Sequence, residues 1–413
     1  MAESCNSRHF SWLLKSCFPN PQDNKSLTPT TITTTNLSSL PDDLLLECLS
    51  RVPSSSLPSL SLVCRRWSQL LFSASFLRLR RLLNLLHTSV FAISSSDSGL
   101  FAATLSFQCD NPSWSSLYLP ISSVSVETIQ GLFSYARVSA IGPRIYIIGR
   151  NSMVKYDTWT GTVIPRAPMI FPRKKFATAL VSGKIYVAGG GFRAAAAVEE
   201  YNPESDTWRV VAKAPRRRYG CIGAAVDGVF YVIGGLKIGN TWGNEVSRTS
   251  AGAEAHMYAS SMDLYDVEAC GWLRSRAVPG GGCVVAACGT SGHVYILASH
   301  AVELSFWKFD ARRHSGGSNG CGFGEWSRLK SPPLPTQVRV DSTVRFSCVG
   351  VGYMVVLVQV MGCIDDLLRR SGRSARGLRE GLVLVYDSVT GEWSRVADLP
   401  EVMRRATCVS VEC

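Results

Sequence analysis

Two stretches of the chain share a pattern that strongly limits the folds available to it. Each is a short apolar run that ends in a pair of glycines, at 184–190 and 229–235. Downstream of each run come a tyrosine with a polar neighbour, a tryptophan and a proline: Tyr201, Asn202, Trp208 and Pro215 in the first copy, and Tyr265, Asp266, Trp272 and Pro279 in the second. Short apolar runs bounded by Gly and Pro are typical of β-strands, so the sequence predicts a repeated β unit.

Weaker copies of this unit precede and follow the two clear ones. The copies are counted by their tryptophans, which are Trp114, Trp159, Trp208, Trp272, Trp326 and Trp393. The first unit begins near Ser89 and has room for only three strands, while one strand, Ala406 to Val411, is left over at the C-terminal end. Together these make one complete unit, so we expect six units in a closed ring without free sheet edges.

The glycine pair, the tyrosine and the tryptophan, on a unit of roughly 45 to 50 residues, resemble the kelch motif. Kelch repeats form β-propellers with one four-stranded blade per repeat. The resemblance implies an all-β kelch propeller over residues 83–413, with six four-stranded blades and the C-terminal strand closing the first blade. The glycines allow close backbone packing and the aromatic residues fill the space between blades, so these positions are structural and none is assigned a catalytic role.

Residues 37–82, ahead of the repeats, have the periodicity of short helices. Leu40-Pro41-Asp42-Asp43 is a helix-start signal, with a proline and two acids in the first turn. Pro53 ends this helix, and apolar residues then recur three or four positions apart as far as Leu71. These helices are too small to bury all of their own leucines, so either the C-terminal body or a partner must cover some of them.

The same segment resembles an F-box without a gap over residues 37–71, through its opening LPDDL, its middle LSRVP and its end VCRRW. F-boxes dock on a Skp-type adaptor, which links them to a cullin–RING ubiquitin ligase. The resemblance implies that twelve residues form or support this adaptor-binding surface: Leu40, Pro41, Leu44, Leu45, Leu49, Val52, Pro53, Leu57, Leu60, Val63, Cys64 and Trp67. The alternative for Trp67 is a place in the core of the helical module.

Composition argues against several other functions. The chain has no uninterrupted run of 18 apolar residues and no secretory signal pattern, so neither a membrane partner nor secretion is expected. Its 14 cysteines include no C-x-x-C pair, which indicates a reducing compartment, the cytoplasm or the nucleus, and no zinc site. No cofactor is expected. Residues 1–36 are rich in Ser and Thr and are expected to be disordered.

The net charge of +12 is concentrated in loops. With strands a to d in each blade, the b–c and d–a loops share one rim, where basic clusters and two long insertions, 236–260 and 369–376, are expected. We expect this rim to bind an acidic or phosphorylated segment of a protein substrate through Arg173, Lys174, Arg216, Arg217, Arg218, Trp242 and Arg404. The alternative is that these arginines belong to the repeat itself or point outward into water.

These features predict a non-catalytic substrate-recognition subunit of an SCF-type E3 ubiquitin ligase, and the order of F-box and kelch repeats resembles a family that is especially large in plants. Such a subunit contributes proximity rather than a reacting group. Alternatives are a non-degradative kelch scaffold and a nucleic-acid binder, although the aromatics expected between basic clusters are mostly absent. No metalloprotease, nucleophile-elbow or phosphate-loop motif supports an enzyme.

Overall fold

The computed structural model describes most of the chain after the N-terminal tail: residues 39–96, 99–108, 112–119, 136–191, 196–237, 256–300, 303–312, 324–334, 344–362, 381–403 and 405–413. The chain divides into two compact units between Leu45 and Leu46, and the second unit holds most of the helical segment and all of the strands. Within the described segments, every helix is too short or too polar to cross a membrane. The predicted tail, 1–36, lies outside them.

The helical segment is built as its sequence signals predict. Its four described α-helices are α1 (Asp42–Ser50), α2 (Leu57–Ser61), α3 (Arg65–Leu71) and α4 (Ala74–Leu82), with a 3-10 turn at Ser54–Ser56. Asp42 and Asp43 lie in the first turn of α1, where the helix dipole favours negative charge. Ser73 caps α4 by accepting a hydrogen bond from the backbone N–H of Phe76 at 3.1 Å.

Six antiparallel sheets of at least four strands follow, one for each predicted blade. With strands a to d in order, they are blade 1, Thr407–Glu412, Thr88–Ser96, Gly99–Ser106 and Trp114–Leu119; blade 2, Arg137–Ile141, Arg144–Ile148, Met153–Asp157 and Val163–Arg166; blade 3, Ala177–Val181, Lys184–Ala188, Ala197–Asn202 and Thr207–Lys213; blade 4, Ile222–Val226, Val229–Ile233, Ser261–Asp266 and Gly271–Trp272; blade 5, Cys283–Thr290, His293–His300, Glu303–Asp310 and Trp326–Leu329; and blade 6, Arg345–Val351, Met354–Met361, Val383–Asp387 and Trp393–Arg395.

Short elements complete this list. Arg276–Ala277 extends blade 4, Arg218–Tyr219 pairs with Leu236–Lys237, and 3-10 turns lie at His256–Tyr258 and Glu401–Met403.

The C-terminal strand closes the ring. It pairs antiparallel with the strand at Thr88–Ser96, in a register that places Val409 opposite Phe91. Strand a of blade 1 is therefore supplied from the end of the chain, and its other three strands come from the beginning. The prediction of six four-stranded blades with C-terminal closure is confirmed.

Tryptophans on strand d join neighbouring blades. In four blades the indole N–H donates to a backbone carbonyl oxygen at the end of the preceding blade, over 2.7–2.9 Å: Trp114 to Ala397, Trp208 to Ala167, Trp272 to Lys213 and Trp393 to Lys330. Three of these rings, those of Trp208, Trp272 and Trp393, pack on a tyrosine of strand c, as for Tyr201 and Trp208 with centroids 5.1 Å apart. Each tryptophan therefore combines a large buried surface with one directional bond.

Candidate interaction surfaces

The helical segment exposes some of its predicted adaptor-binding residues and buries others. Those exposed to solvent are Pro41, Leu44, Pro53, Val63 and Cys64. Those half-buried are Leu40, Val52, Leu60 and Trp67. The buried ones are Leu45, Leu49 and Leu57. The buried leucines support the helices from inside, whereas the exposed group is directly available to a partner.

Two positions refine that prediction. Leu62, which the periodic pattern passes over, is 85% exposed, and its neighbour Val63 is 59% exposed. Helix α2 ends at Ser61 and Leu62 is its C-cap residue, so the Leu62 side chain does not lie on the face of the helix that packs on the core. In the sequence, two adjacent apolar residues at 62 and 63 cannot both face the packed side of one helix, and this indicates that one of them is exposed. Trp67 packs on the helical core and stays partly exposed, which fits both of its interpretations.

Helix α4 is joined to blade 2 of the propeller through Trp159. This ring is buried and meets the fully buried ring of Phe76 edge-on, with centroids 5.4 Å apart. The guanidinium of Arg80 lies 5.9 Å from the Trp159 ring and donates to the carbonyl oxygens of Ser50 (3.3 Å) and Val52 (2.7 Å). We use the name joint for all contacts between the helical segment and the propeller, which are these and those made by Gly142, Arg144 and the C-terminal strand.

The a–b turn of blade 2 adds to the joint. Arg144 donates a hydrogen bond to the carbonyl oxygen of Phe72 at 2.8 Å, and its guanidinium lies 5.3 Å from the Phe72 ring. The side chain of Leu77 packs over Gly142, where an added Cβ would stand only 3.2 Å away. The turns of one blade thus contact helix α4 and the connection that precedes it.

The end of the chain is the third part of the joint. Arg81 forms a two-point ion pair with Glu412, whose Nε–Oε1 distance is 2.9 Å. His87 and Cys413 exchange both backbone hydrogen bonds, at 2.9 and 3.1 Å. The strand that closes the propeller therefore also contacts the helical segment.

Trp159 corrects one detail of the sequence analysis. It was counted as the blade tryptophan of the second unit, but it lies in the c–d turn, and Val163 stands on strand d opposite Tyr156. Its indole N–H has no hydrogen-bond partner in the described part of the chain. The ring serves the joint rather than the packing of blade on blade.

The b–c and d–a loops meet on one rim, as predicted. The backbone N–H of Lys174 donates to the carbonyl oxygen of Gly190 at 2.7 Å, and that of Gly190 donates to the carbonyl oxygen of Arg218 at 2.9 Å. Gly189 has φ +76°, and a Cβ there would stand 2.8 Å from the carbonyl oxygen of Arg218. The glycine pair thus lets two loops of the rim touch.

Arg173 is locked inside blade 3. Its Nε lies 2.9 Å from Glu199 Oε1, and its Nη1 donates to the carbonyl oxygen of Gly189 at 2.7 Å. Both charged side chains are fully buried, and burial lowers the pKa of Arg173 while Glu199 opposes that shift.

Arg218 repeats this arrangement in blade 4. Its Nε lies 2.8 Å from Asp263 Oδ2, and its Nη1 donates to the carbonyl oxygen of Gly234 at 2.7 Å. We call these two buried arginine–carboxylate–glycine arrangements the clamps.

The clamps correct part of the predicted substrate surface. The guanidinium groups of Arg173 and Arg218 are buried and bonded within their own blades, so they do not face a ligand. Of the other predicted residues, Lys174 is half-buried, Arg217 is exposed, and Arg216 is partly exposed while paired with Asp263 at 2.6 Å. Trp242, Arg404 and the arginine-rich insertion at 369–376 lie outside the described residues.

A cavity of about 200 Å³ lies on the same rim, between the b–c loop of blade 6 and the d–a loop that leads to blade 1. Strand b of blade 6 has no glycine pair at its end. Gln359 and Val360 stand at the register positions that Gly189 and Gly190 occupy in blade 3. Leu399 and Arg405 lie on the other wall. The cavity has room for one side chain of a ligand and is smaller than a typical cofactor pocket.

Glu200 is the most strongly shifted carboxylate near the clamps. Burial disfavours its charged form, but hydrogen bonds from Arg209, Tyr186 and Lys184 outweigh burial and hold its pKa at about 2. The Arg209 and Lys184 nitrogens each lie 2.9 Å from Glu200 Oε1. This charge is part of the blade's structure. The described residues contain no group of three or more His, Cys, Asp or Glu side chains placed to hold a metal ion.

The fold defines a class of protein: a propeller with a short helical module fixed to its a–b and c–d turns. The F-box domain model matches residues 37–79, and the Kelch motif model matches residues 172–215, which include the first clamp. The chain is 64% identical to the F-box/kelch-repeat protein At5g26960 of Arabidopsis thaliana over 422 aligned positions, which cover 100% of both chains.

More distant similarities cover parts of the chain. It is 29% identical to the F-box/kelch-repeat protein At1g67480 of Arabidopsis thaliana over 224 residues, 52% of this chain and 59% of that protein. The solved structure of YjhT aligns with a TM-score of 0.47 and 16% identity, over 68% of this chain and 86% of that one. The full-length similarity is decisive: the chain belongs to the F-box/kelch-repeat family.

Proposed function

We propose that this protein is the substrate-recognition subunit of an SCF-type E3 ubiquitin ligase. Its F-box docks a Skp-type adaptor, and through it a cullin–RING ligase, while its propeller binds the protein to be ubiquitinated. The observation that carries the proposal is the exposed apolar pair Leu62 and Val63 within the segment that matches the F-box domain. Adjacent exposed apolar side chains on a small helical module mark a surface for a protein partner.

The proposed role is non-catalytic. The F-box recruits the ligase, and the propeller holds the substrate close to the ubiquitin-conjugating enzyme, so the contribution to the reaction is proximity. We place this activity in the cytoplasm, the nucleus or both, where thiols stay reduced.

We propose that the substrate binds the loop rim through an acidic or phosphorylated segment. Arg217 and Lys174 supply positive charge there, and Trp242 and Arg404 belong to the same predicted rim. The cavity beside Arg405 provides a place for one substrate side chain.

Binding of a purified Skp-type adaptor to the full-length chain tests the first step. Isothermal titration of the parent should give a one-to-one complex, and the double variant Leu62→Asp, Val63→Asp should bind at least tenfold more weakly, because buried charges replace apolar contacts. The matched control is Leu82→Asp, which also changes an exposed leucine, 72% exposed, but beyond the F-box match. A folded parent that does not bind the adaptor would favour the alternative, a non-degradative kelch scaffold.

Charge reversal on the rim tests the second step. A library of phosphopeptides and its unphosphorylated counterpart are passed over immobilised protein, and Arg217→Glu should release the anionic peptides that the parent retains. Arg274→Glu, an exposed arginine near strand d of blade 4, is the control and should leave binding unchanged. Equal binding by both variants would remove Arg217 from the proposed substrate surface.

A further inference from the structure

Two cysteines on neighbouring blades have their sulfur atoms in direct contact. Cys288 is on strand a of blade 5 and Cys348 on strand a of blade 6, and their Sγ atoms are 3.2 Å apart. Both are free thiols. They belong to one apolar cluster between the two blades, which also contains Tyr295 and Leu357.

The backbone explains why these side chains meet. A Cβ added at Gly350 would stand 2.8 Å from the carbonyl oxygen of Gly289 and 2.5 Å from the Cβ of Thr290. The two a strands therefore approach closely at small residues. Two positions earlier on each strand, the same approach brings Cys288 and Cys348 together.

We propose that Cys288 and Cys348 are an oxidative modification site, at which a hydroperoxide produces a disulfide that links blade 5 to blade 6. Cys348 is partly exposed and meets the oxidant first. Its sulfur attacks hydrogen peroxide, the O–O bond breaks, and the products are a sulfenic acid and water. The sulfur of Cys288 then attacks the sulfenic sulfur, the S–S bond forms, and the hydroxyl leaves as a second water. Two thiols lose two protons and two electrons, and one peroxide is reduced to two waters.

The surroundings assign the two roles. The hydrogen bond with Cys348, together with burial, raises the pKa of the Cys288 thiol well above its ordinary value. Cys288 is therefore the poorer nucleophile toward the oxidant, and its sulfur, 3.2 Å from that of Cys348, is placed for the second step, in which its proton leaves with the hydroxyl as water. The Sγ atoms must then approach from 3.2 Å to about 2.05 Å, the length of a disulfide bond.

The disulfide would link positions 60 residues apart and hold two blades together. A cross-link of this length restricts the unfolded chain, so the oxidised protein should be the more stable form. This site is independent of the proposed adaptor and substrate surfaces.

Peptide mapping tests the proposal. Trypsin places Cys288 in the peptide 277–308 with Cys283, and Cys348 in the peptide 346–369 with Cys363. The test protein therefore carries Cys283→Ser and Cys363→Ser, which leaves one cysteine in each peptide. The folded protein is treated with hydrogen peroxide, blocked with a maleimide, digested and analysed by mass spectrometry.

The expected product is the two peptides joined, lighter by two hydrogen atoms than their sum and separated by dithiothreitol. The thermal midpoint should rise by about 3 °C or more on oxidation. Adding Cys348→Ser should abolish both effects. Adding Cys408→Ser, another buried cysteine on a strand a, should preserve them. Recovery of Cys288 and Cys348 as separately labelled peptides after oxidation would overturn the proposal, as would a dimedone-trapped sulfenic acid at Cys348 that never joins Cys288.

Discussion

The joint and the clamps bury the same type of residue in two different ways. In the joint, Arg80 is fully buried and bonded to backbone carbonyl oxygens, with the rings of Phe76 and Trp159 beside it. In the clamps, Arg173 and Arg218 are each paired with a buried carboxylate. A buried charge is tolerated only where bonds compensate it, so all three arginines are fixed parts of the structure. These three arginines are therefore part of the interior and are not available to a partner.

Removal of the C-terminal strand should open the propeller that carries the clamps and weaken the joint at once. A chain that ends at Leu399 lacks the strand of blade 1 that pairs with Thr88–Ser96, and it also lacks Glu412 and Cys413 of the joint. We expect loss of the cooperative thermal transition by circular dichroism, because the ring then has two open edges. A chain without residues 1–36 is the control and should unfold like the parent. A retained cooperative transition in the shortened chain would contradict ring closure by this strand.

A clamp substitution should damage the propeller alone. Arg218→Ala removes the buried partner of Asp263, which keeps Arg216 and Ser275, and it also removes the guanidinium bond to Gly234. We expect the free energy of unfolding to fall by about 3 kcal/mol in urea titrations. The neighbouring Arg217→Ala, at an exposed position, should change it by no more than about 0.5 kcal/mol. Equal losses from the two variants would mean that burial does not distinguish these arginines.

A joint substitution should release the helices and spare the blades. Trp159→Ala should cost about 3 kcal/mol, and amide hydrogen exchange should rise in residues 57–82 while the strands stay protected. Trp208→Ala, which changes a tryptophan between blades 2 and 3, should instead raise exchange in those blades. Exchange that rises throughout the propeller in Trp159→Ala would show that this ring also packs blade on blade.

The carboxylate of Glu200 should give the smallest effect, visible as a pH dependence. Its pKa in the folded protein is about 2, below its ordinary value of 4.5. Its stabilising contribution is therefore complete above pH 4.5 and is lost as the pH falls toward 2. Glu200→Gln should therefore lower the thermal midpoint at pH 7 and show a weaker fall between pH 5 and pH 2.5. Glu392→Gln, in an exposed pair with Lys330, is the control. Identical pH profiles for Glu200→Gln and the parent would contradict this assignment.

The architecture could be predicted because its signals are local and repeated. Six aromatic-marked units and one leftover strand gave the correct ring, although Trp159 is not a strand-d residue. Its spacing from the tyrosine carried that information: Trp159 follows Tyr156 by three residues, whereas Trp208 follows Tyr201 by seven. A tryptophan so close to its tyrosine falls in the turn, free to contact another segment.

The sequence offers a place in the repeat for these arginines only as an alternative, because the partners within each clamp lie far apart along the chain. Arg173 pairs with Glu199 and Arg218 with Asp263, across separations of 26 and 45 residues. The sequence does contain a signal for them: in both repeats the arginine precedes the first glycine of the Gly-Gly pair by 16 residues. Aligning the two clear repeats on their glycines favours the alternative that these arginines belong to the repeat. For Trp242 and Arg404, which lie outside the described residues, the predicted role in substrate binding stays a prediction.

The central claim is that one chain connects a ligase to a substrate, and affinity purification with quantitative mass spectrometry tests it most directly. Tagged full-length parent is compared with Leu62→Asp, Val63→Asp, and with Leu82→Asp as the control. We predict that a Skp-type adaptor and a cullin accompany the parent and the control but not the double variant. Proteins bound through the propeller should remain with the double variant, in greater amount and with less attached ubiquitin. Bound proteins whose abundance and ubiquitination are the same in all three purifications would contradict the claim.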